Sequence, residues 1–317
     1  MESGKGSDEV GNGFNNIEEI EDTFQDAEDG QCLGLSKNGK ADERDARGRP
    51  GYPSGEVVAK MPVAKYASHY NMGHKKRGLA LIFNHEKFEC GNLKPRAGTN
   101  EDCKNLKECL INLGFDVHVF VDLNYFDIED HIKRTAQANH SQHDCLLISI
   151  LSHGECGIIY AKDTPYKPDY LWSHFTADRC PSLAGKPKVF FLQACQGDKL
   201  DGGVTLSNTE TDGELHNTYK IPSQADFLIV YSTVKGYYSW RNTTKGSWFI
   251  QSLVEELKSR AFELDLMTIL TFVSQRVALN FESNVPDNAS MHRQKQIPCI
   301  MSMLTRLIQF KPKSVGG

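Results

Sequence analysis

The feature that most constrains this 317-residue sequence is an apolar run that stops at a cysteine. Residues 190–194 form a short, strand-like run, and Cys195 follows it with Gly197 two positions later. A second apolar run, residues 146–151, ends in the same way shortly before His153. In open α/β sheets, the chemistry is carried at the ends of the strands. The sequence therefore predicts that two strands deliver one thiol and one imidazole to the same edge of a sheet.

The apolar periodicity of the chain alternates between strand and helix patterns, which predicts an α/β fold with a parallel sheet covered on both faces. Thr99 and Asp102 resemble a capping box at the start of a helix that Gly114 ends. Strands are predicted at 79–83, 115–121, 146–151, 157–160, the run before Cys195, 225–231 and about 300–309. Helices are predicted from Thr99 to Gly114 and at 128–138, 171–175, 248–260 and 264–280.

Three stretches lack this periodicity. Residues 1–29 hold ten acidic side chains and one lysine, a composition typical of a disordered segment. Residues 30–60 are polar and glycine-rich, with six basic and four acidic groups, and form a flexible leader. Residues 197–222 form a long aperiodic stretch inside the folded part, which predicts an exposed linker. The folded domain is therefore expected over residues 61–317.

Composition excludes several classes of function. The net charge of −5 offers no basic patch for nucleic acid or an anionic membrane. No apolar stretch approaches the roughly 18 residues of a membrane span, and the N-terminus lacks the apolar region of a signal peptide. Nine cysteines without framework spacing are expected to remain thiols in a cytoplasmic protein.

Cys195 and His153 are candidates for nucleophilic catalysis. A thiolate is the reactive form of cysteine, and an adjacent imidazole can act as a general base or proton donor. Backbone N–H groups of Gly154 and Cys195 are candidates for holding an oxyanion, because glycine permits close approach of the backbone. The alternatives are a buried core cysteine and a polar cap on a strand.

Metal binding is a second chemical possibility. His140, His143 and Cys145 are close in sequence, but no second ligand pair at zinc spacing follows them. We therefore expect no metal and no cofactor.

The motifs resemble those of the caspase family. Gln-Ala-Cys-Gln-Gly surrounds Cys195, and a histidine upstream of this motif is part of the family's signature. Ser-His-Gly-Glu surrounds His153, and Tyr-Ser-Trp-Arg-Asn ends at Asn242. The resemblance covers roughly residues 60–310. It implies a caspase-like domain with about six strands, and a zymogen of a cysteine endopeptidase that executes apoptosis. Gln196 and the sequence before Gly213 are similar to those of the insect effector members.

The resemblance also assigns roles to residues. Arg96, Arg241 and Gln193 would grip the carboxylate of a substrate aspartate, and acidic substrates like Asp-Glu-Val-Asp would be preferred. Without the resemblance, either arginine would be interpreted as a solvated surface charge. The backbone carbonyl of Lys94 would orient His153. The remaining assignments are S2 for Tyr238 and Trp240, S1 and main-chain pairing for Ser239 and Arg241, and S4 for Asn242 and Trp248.

Two acidic tetrapeptides that end in aspartate suggest processing sites. Asp29 and Asp212 are each followed by glycine inside a predicted exposed segment, although Asp-Gly is also a common turn pair. Cleavage would give a large subunit (30–212) and a small subunit (213–317), assembled as a dimer of such pairs. The implied partners are protein substrates, an upstream initiator caspase and inhibitor-of-apoptosis proteins.

Two other interpretations remain open at this stage. One is a caspase-like scaffold that binds partners without cutting them. The other is a related cysteine protease that cuts after basic residues, which would require acidic groups where Arg96 and Arg241 stand.

Overall fold

The computed structural model describes residue 59 and residues 61–201 and 222–313. The strands are β1 (Leu79–Asn84), β2 (Asp116–Val121), β3 (Leu146–Leu151), β4 (Gly154–Glu155), β5 (Ile158–Tyr160), β6 (Pro165–Tyr166), β7 (Lys188–Gln193), β8 (Phe227–Tyr231), β9 (Arg241–Asn242), β10 (Gly246–Ser247) and β11 (Cys299–Ser302). The helices are α1 (Thr99–Asn112), α2 (Tyr125–Gln137), α3 (Asp169–Ser173), α4 (Trp248–Arg260) and α5 (Leu266–Asn280).

The central sheet has six strands in the order β11-β8-β7-β3-β1-β2. All neighbouring pairs are parallel except β11, which runs antiparallel to β8. The two middle strands, β3 and β7, are buried along their whole length, as expected for parallel strands that are covered on both faces. The predicted α/β fold with a mostly parallel sheet is therefore confirmed.

Helices cover both faces of the sheet. On one face, Leu106 of α1, Leu253 of α4 and Leu270 of α5 pack in one apolar cluster. On the other face, Ile132 of α2 and Leu171 of α3 belong to a second cluster. Because β1, β2, β3, β7 and β8 run parallel, their carboxyl ends lie at the same edge of the sheet. Functional side chains of open α/β sheets gather at this edge.

The start of α1 differs from the predicted capping box. Its N-cap is Gly98, which adopts a left-handed conformation with φ 89°, and no side chain caps the helix. The hydroxyl of Thr99 donates to Asn84 instead, and the carboxylate of Asp102 accepts hydrogen bonds from Ser247. The capping-box prediction was wrong because tertiary partners outcompete the local backbone for these two side chains.

The C-terminal strand and the internal linker also differ from expectation. β11 is only four residues long rather than extending to 309, and beyond it Leu307 forms an isolated bridge with His69. At the start of the predicted linker, Lys199 and Asp201 form bridges with Tyr237 and Lys295, so the chain remains paired up to residue 201. The rest of the linker, with Asp212, lies outside the described residues, as does Asp29.

In the part of the chain that the structure describes, no helix is long and apolar enough to cross a membrane.

Candidate active site

Two neighbouring strands bring His153 and Cys195 to the same edge of the sheet. β3 pairs with β7 in a register that sets Leu151 opposite Gln193, and each candidate residue follows two positions later. The backbone N–H of Ser152 donates to the carbonyl of Gln193 over 3.1 Å, which extends this pairing. A Cβ atom added to Gly154 would lie 2.6 Å from the carbonyl oxygen of Cys195. Only glycine therefore lets the two backbones approach this closely.

The ring of His153 is held from two sides. Its Nε2 lies 2.8 Å from the carbonyl oxygen of Lys94, and its ring centroid lies 4.8 Å from that of Phe88. A carbonyl oxygen can only accept, so Nε2 carries the proton and Nδ1 of the neutral ring carries the lone pair. Burial lowers the pKa of His153, and the charges of Arg96 and Arg241 lower it further. The neutral imidazole is thereby favoured.

The thiol of Cys195 contacts the backbone of Ser239. The Ser239 N–H points at Sγ over 3.4 Å, and Sγ lies 3.7 Å from the Ser239 carbonyl oxygen. Burial raises the pKa of Cys195, against the lowering influence of the Ser239 N–H and of the two arginines. Among the described residues, no hydrogen bond joins Sγ to His153, an arrangement common before a substrate tightens the site. Both shifts favour a neutral thiol and a neutral imidazole in the resting pair.

Arg96 is almost completely buried, with 1% of its surface exposed. Its Nη1 donates to the His85 carbonyl over 3.0 Å and to the Thr99 hydroxyl over 2.6 Å. Its Nε and Nη2 find no hydrogen-bond partner among the described residues. Burial, followed by repulsion from Arg241, lowers the pKa of Arg96 to about 9. Buried donors without partners are costly, so this guanidinium is ready for an acceptor.

A second guanidinium and an amide lie beside Arg96. Arg241 in β9 donates from Nε to the carbonyl of Ala97 over 2.8 Å. Gln193 donates from Nε2 to the hydroxyl of Ser239 over 2.8 Å, and its Oε1 is buried without a partner in the described chain. Burial lowers the pKa of Arg241, while the charge on Asp102 raises it. Two cations next to the thiol can bind and orient a carboxylate with forked hydrogen bonds.

Aromatic rings form a wall next to these groups. Successive ring centroids of Tyr238, Trp240, Trp248 and Phe281 lie 6.1, 5.7 and 5.4 Å apart. Tyr238 and Trp240 also border a shallow surface depression, which is lined as well by Lys199, Asp201, Thr233, Val234, Tyr237, Lys295, Gln296 and Ile297. The edges of these rings offer an apolar surface for side chains of an extended peptide.

The two residues expected at S4 are placed differently from each other. Trp248 is mostly buried between two rings of the aromatic wall. Asn242 closes the β9–β10 turn, since its Oδ1 accepts from the Thr244 N–H, the Thr244 hydroxyl and the Lys245 N–H. The S4 role of Asn242 stays a prediction, and a turn-closing role is what its contacts show.

The histidine cluster that raised the possibility of a metal lies away from this edge. Nδ1 of His140 is 3.1 Å from Nδ1 of His143, and Cys145 Sγ donates to the carbonyl of Arg77. Within the described ranges, no three His, Cys, Asp or Glu side chains are arranged to hold a metal ion.

Sequence reasoning missed three contributors to the site: Phe88 against the histidine ring, Thr99 against Arg96, and Asp102 against Ser247. A signal for two of them was present. Thr99 and Asp102 lie at helical spacing with Cys103 and Leu106 on the buried face of α1, and polar residues on a buried face require partners.

The chain is similar to known proteins along most of its length. The family pattern described as the caspase domain matches residues 77–309. Caspase-1 of Spodoptera frugiperda is 59% identical over 276 residues, which span 87% of this chain and 92% of that protein. Caspase drICE of Drosophila melanogaster is 62% identical over 82% of this chain and 77% of its own length.

Mammalian and structural relatives agree with these matches. Caspase-3 of Bos taurus is 44% identical over 76% of this chain and 87% of its own length. The crystal structure of Caspase-1 from Spodoptera frugiperda superposes with a TM-score of 0.76 at 60% sequence identity, covering 81% of this chain and all of that one.

Proposed function

The chain belongs to the caspase family as an effector member, an aspartate-specific cysteine endopeptidase of apoptosis, and from this premise we propose that Cys195 and His153 form its catalytic pair. The observation that carries the proposal is the meeting of a thiol, an imidazole and two guanidiniums at one sheet edge. Cys195 lies close enough to Arg96 and Arg241 for their charges to lower its pKa.

In the proposed mechanism, the Cys195 thiol passes its proton to Nδ1 of His153, and the thiolate attacks the main-chain carbonyl carbon of the substrate aspartate, at the peptide bond that follows this residue. The carbonyl oxygen becomes an oxyanion that accepts from the backbone N–H groups of Gly154 and Cys195. The imidazolium then gives its proton to the leaving amine, and an acyl-enzyme remains. Water, deprotonated by His153, hydrolyses the thioester and restores the thiol.

We assign the S1 site to Arg96, Arg241 and Gln193. The free Nε and Nη2 of Arg96 supply two N–H donors in a fixed plane, which matches the geometry of a carboxylate. An aspartate carboxylate would replace the missing partners of this buried cation. Glutamate would be disfavoured, because its extra methylene carries the carboxylate past the fixed donors.

The aromatic wall supplies the remaining specificity. Tyr238 and Trp240 fit an S2 role, since both border the surface depression and they flank Ser239 in the chain. Ser239 and Arg241 would pair with the backbone of the substrate, and Trp248 would border S4 with Asn242.

We further propose that the chain is a zymogen activated by cuts after Asp29 and Asp212. The cuts would remove the acidic propeptide (1–29) and separate the large subunit (30–212) from the small subunit (213–317). Both sites present an acidic tetrapeptide ending in aspartate, which is the motif that the S1 site would accept.

Family membership implies protein substrates and a dimeric assembly of subunits. The finer proposals are an upstream initiator caspase as activator and inhibitor-of-apoptosis proteins as ligands. A cytoplasmic location is proposed from the free cysteines in the described residues, which fit a reducing compartment.

Hydrolysis of matched tetrapeptides tests the assignment. We expect the chain, cut at Asp212, to cleave a peptide ending in aspartate and to leave the same peptide ending in lysine intact. Cys195→Ala should abolish cleavage. Cys156→Ala is the matched control and should retain cleavage, since Cys156 is a second free cysteine that is exposed and has no role in the proposed mechanism. Equal activity in Cys195→Ala would refute the assignment of the nucleophile, and no activity in the wild type would favour the scaffold interpretation.

A further inference from the structure

Asp102 is a buried carboxylate that the proposed mechanism does not use. It lies in the first turn of α1, is 1% exposed, and accepts hydrogen bonds from both the backbone N–H and the hydroxyl of Ser247, over 2.7 and 2.6 Å. The two residues are 145 positions apart in the chain. A buried carboxylate that accepts two such hydrogen bonds fixes the position of the segment to which the donors belong.

Ser247 lies in β10, the strand that pairs with β9, which contains Arg241. In the β9–β10 hairpin, Ser247 is the direct partner of Arg241. The same hairpin rests on the start of α1, because a Cβ atom on Gly98 would lie 2.7 Å from the carbonyl oxygen of Asn242. Arg241 itself donates to Ala97. The hydrogen bonds that Ser247 donates to Asp102 therefore fix the hairpin at the position opposite Arg241.

The same turn of α1 also positions the other arginine. Nη1 of Arg96 donates to the hydroxyl of Thr99 over 2.6 Å, and that hydroxyl donates to Oδ1 of Asn84 over 2.7 Å. Thr99 and Asn84 are both fully buried. Arg96 is thus held through Nη1, which leaves its Nε and Nη2 for the substrate.

Charge supports this arrangement. The buried guanidinium of Arg96 and the half-buried guanidinium of Arg241 repel each other, and neither forms an ion pair in the described part of the chain. Asp102 favours the charged form of both. Burial raises the pKa of Asp102, whereas the hydrogen bonds from Ser247 lower it. In its charged form, the Asp102 carboxylate offsets the repulsion between the guanidiniums and leaves Nε and Nη2 of Arg96 without a partner among the described residues.

We propose that the first turn of α1 sets the spacing of the two S1 arginines, with Asp102 and Thr99 as positioning residues that determine the preference for aspartate over glutamate. The inference rests on the proposed S1 assignment. After the proposed cut at Asp212, Asp102 would lie in the large subunit and Ser247 in the small one. The hydrogen bonds between them would then hold the S1 site together across the subunit boundary.

The test compares peptides that differ only in aspartate or glutamate before the cut. In Asp102→Ala and Thr99→Val, loosened arginines should raise KM for the aspartate peptide and lower the aspartate-to-glutamate ratio of kcat/KM by about tenfold, with kcat changed little. Thr99→Ser keeps the hydroxyl and should restore the wild-type ratio. Ser247→Ala removes one donor only and should lower the ratio less than Asp102→Ala.

Asp226→Ala is the matched control. Asp226 is equally buried at 1% and accepts from the hydroxyls of Tyr70 and Thr305 over 2.8 and 2.7 Å, but it precedes β8 at the opposite edge of the sheet. Its loss should destabilise the fold without changing the ratio. A double-mutant cycle of Asp102→Ala and Ser247→Ala should be non-additive in KM, since both remove one contact.

Three results would overturn the inference. These are an unchanged ratio in both Asp102→Ala and Thr99→Val, an equal fall in Asp226→Ala, and full additivity in the cycle. If Asp102→Ala does not fold, Ser247→Ala and the Thr99 pair still decide. A wild-type chain that fails to cleave the aspartate peptide would refute the proposed function itself, which is a different outcome from an active wild type with unaffected variants.

Discussion

Nε2 of His153 donates to the backbone carbonyl of Lys94 over 2.8 Å. A neutral backbone group therefore occupies the place that a carboxylate takes in many catalytic triads. The carbonyl fixes the tautomer and the ring orientation, but it adds no full negative charge. With two arginines nearby, the local field favours the uncharged ring.

The pH dependence of catalysis should reflect this field. His153 must be neutral to accept the thiol proton, and its pKa is lowered from the ordinary value, so the neutral form persists below about pH 6.5. We expect the acid limb of kcat/KM against pH to fall below pH 6.5. An acid limb above pH 7, measured with an uncharged reporter at the cleaved bond, would contradict the neutral-pair account.

Removing either S1 arginine should reduce catalysis strongly. Arg96→Ala and Arg241→Ala each leave the substrate carboxylate with one charged partner instead of two, which costs about 100-fold in kcat/KM. Arg96→Lys should not restore activity, because an ammonium cannot supply the planar fork. Arg134→Ala is the control, since that side chain is 73% exposed and forms an ion pair with Asp130 on α2. An aspartate peptide cleaved normally by Arg96→Ala would refute the S1 assignment.

His85 should make the fold sensitive to acid. It is fully buried, its Nδ1 has no partner in the described chain, and burial lowers its pKa to about 4. A histidine with a depressed pKa contributes stability that is present above its ordinary pKa and is lost as pH falls toward the folded value. Between pH 7.5 and 4.5 this loss is on the order of 2 kcal/mol.

Urea unfolding at the two pH values measures this effect. His85→Gln should lose less stability on acidification than the wild type by that amount. His118→Gln, whose side chain is 49% exposed on an edge strand, should lose as much as the wild type. Identical pH dependence in wild type and His85→Gln would exclude the proposed role of this ring.

Much of the fold could be predicted because its central strands are continuous apolar runs. β1, β3, β7 and β8 begin and end within about three residues of the predicted bounds, and α4 matches its prediction. These strands are buried on both faces, so composition alone marks them. The final strand was harder to predict, because described apolar residues after β11 pack into the core without forming a strand. Leu307, which also follows β11, forms an isolated bridge.

The site residues that belong to a sequence motif could be predicted. The contacts that support these residues could not be predicted from the sequence. Cys195, His153 and Arg241 stand out in sequence, and the structure brings them together. The contact between Asp102 and Ser247 joins residues 145 positions apart, and no local pattern encodes a contact of that separation. Asp102 in a first helical turn resembles a cap in sequence, and only tertiary packing reveals that its carboxylate points to another segment.

Intact mass after expression tests the central claim most directly. The wild-type chain is compared with Cys195→Ala and with Cys156→Ala as the matched control. The account predicts that wild type and Cys156→Ala split after Asp212 and lose residues 1–29, while Cys195→Ala stays whole. Cys195→Ala processed at the same positions without added protease, or a wild-type chain that stays whole and inert toward aspartate peptides after an engineered cut at residue 212, would contradict it.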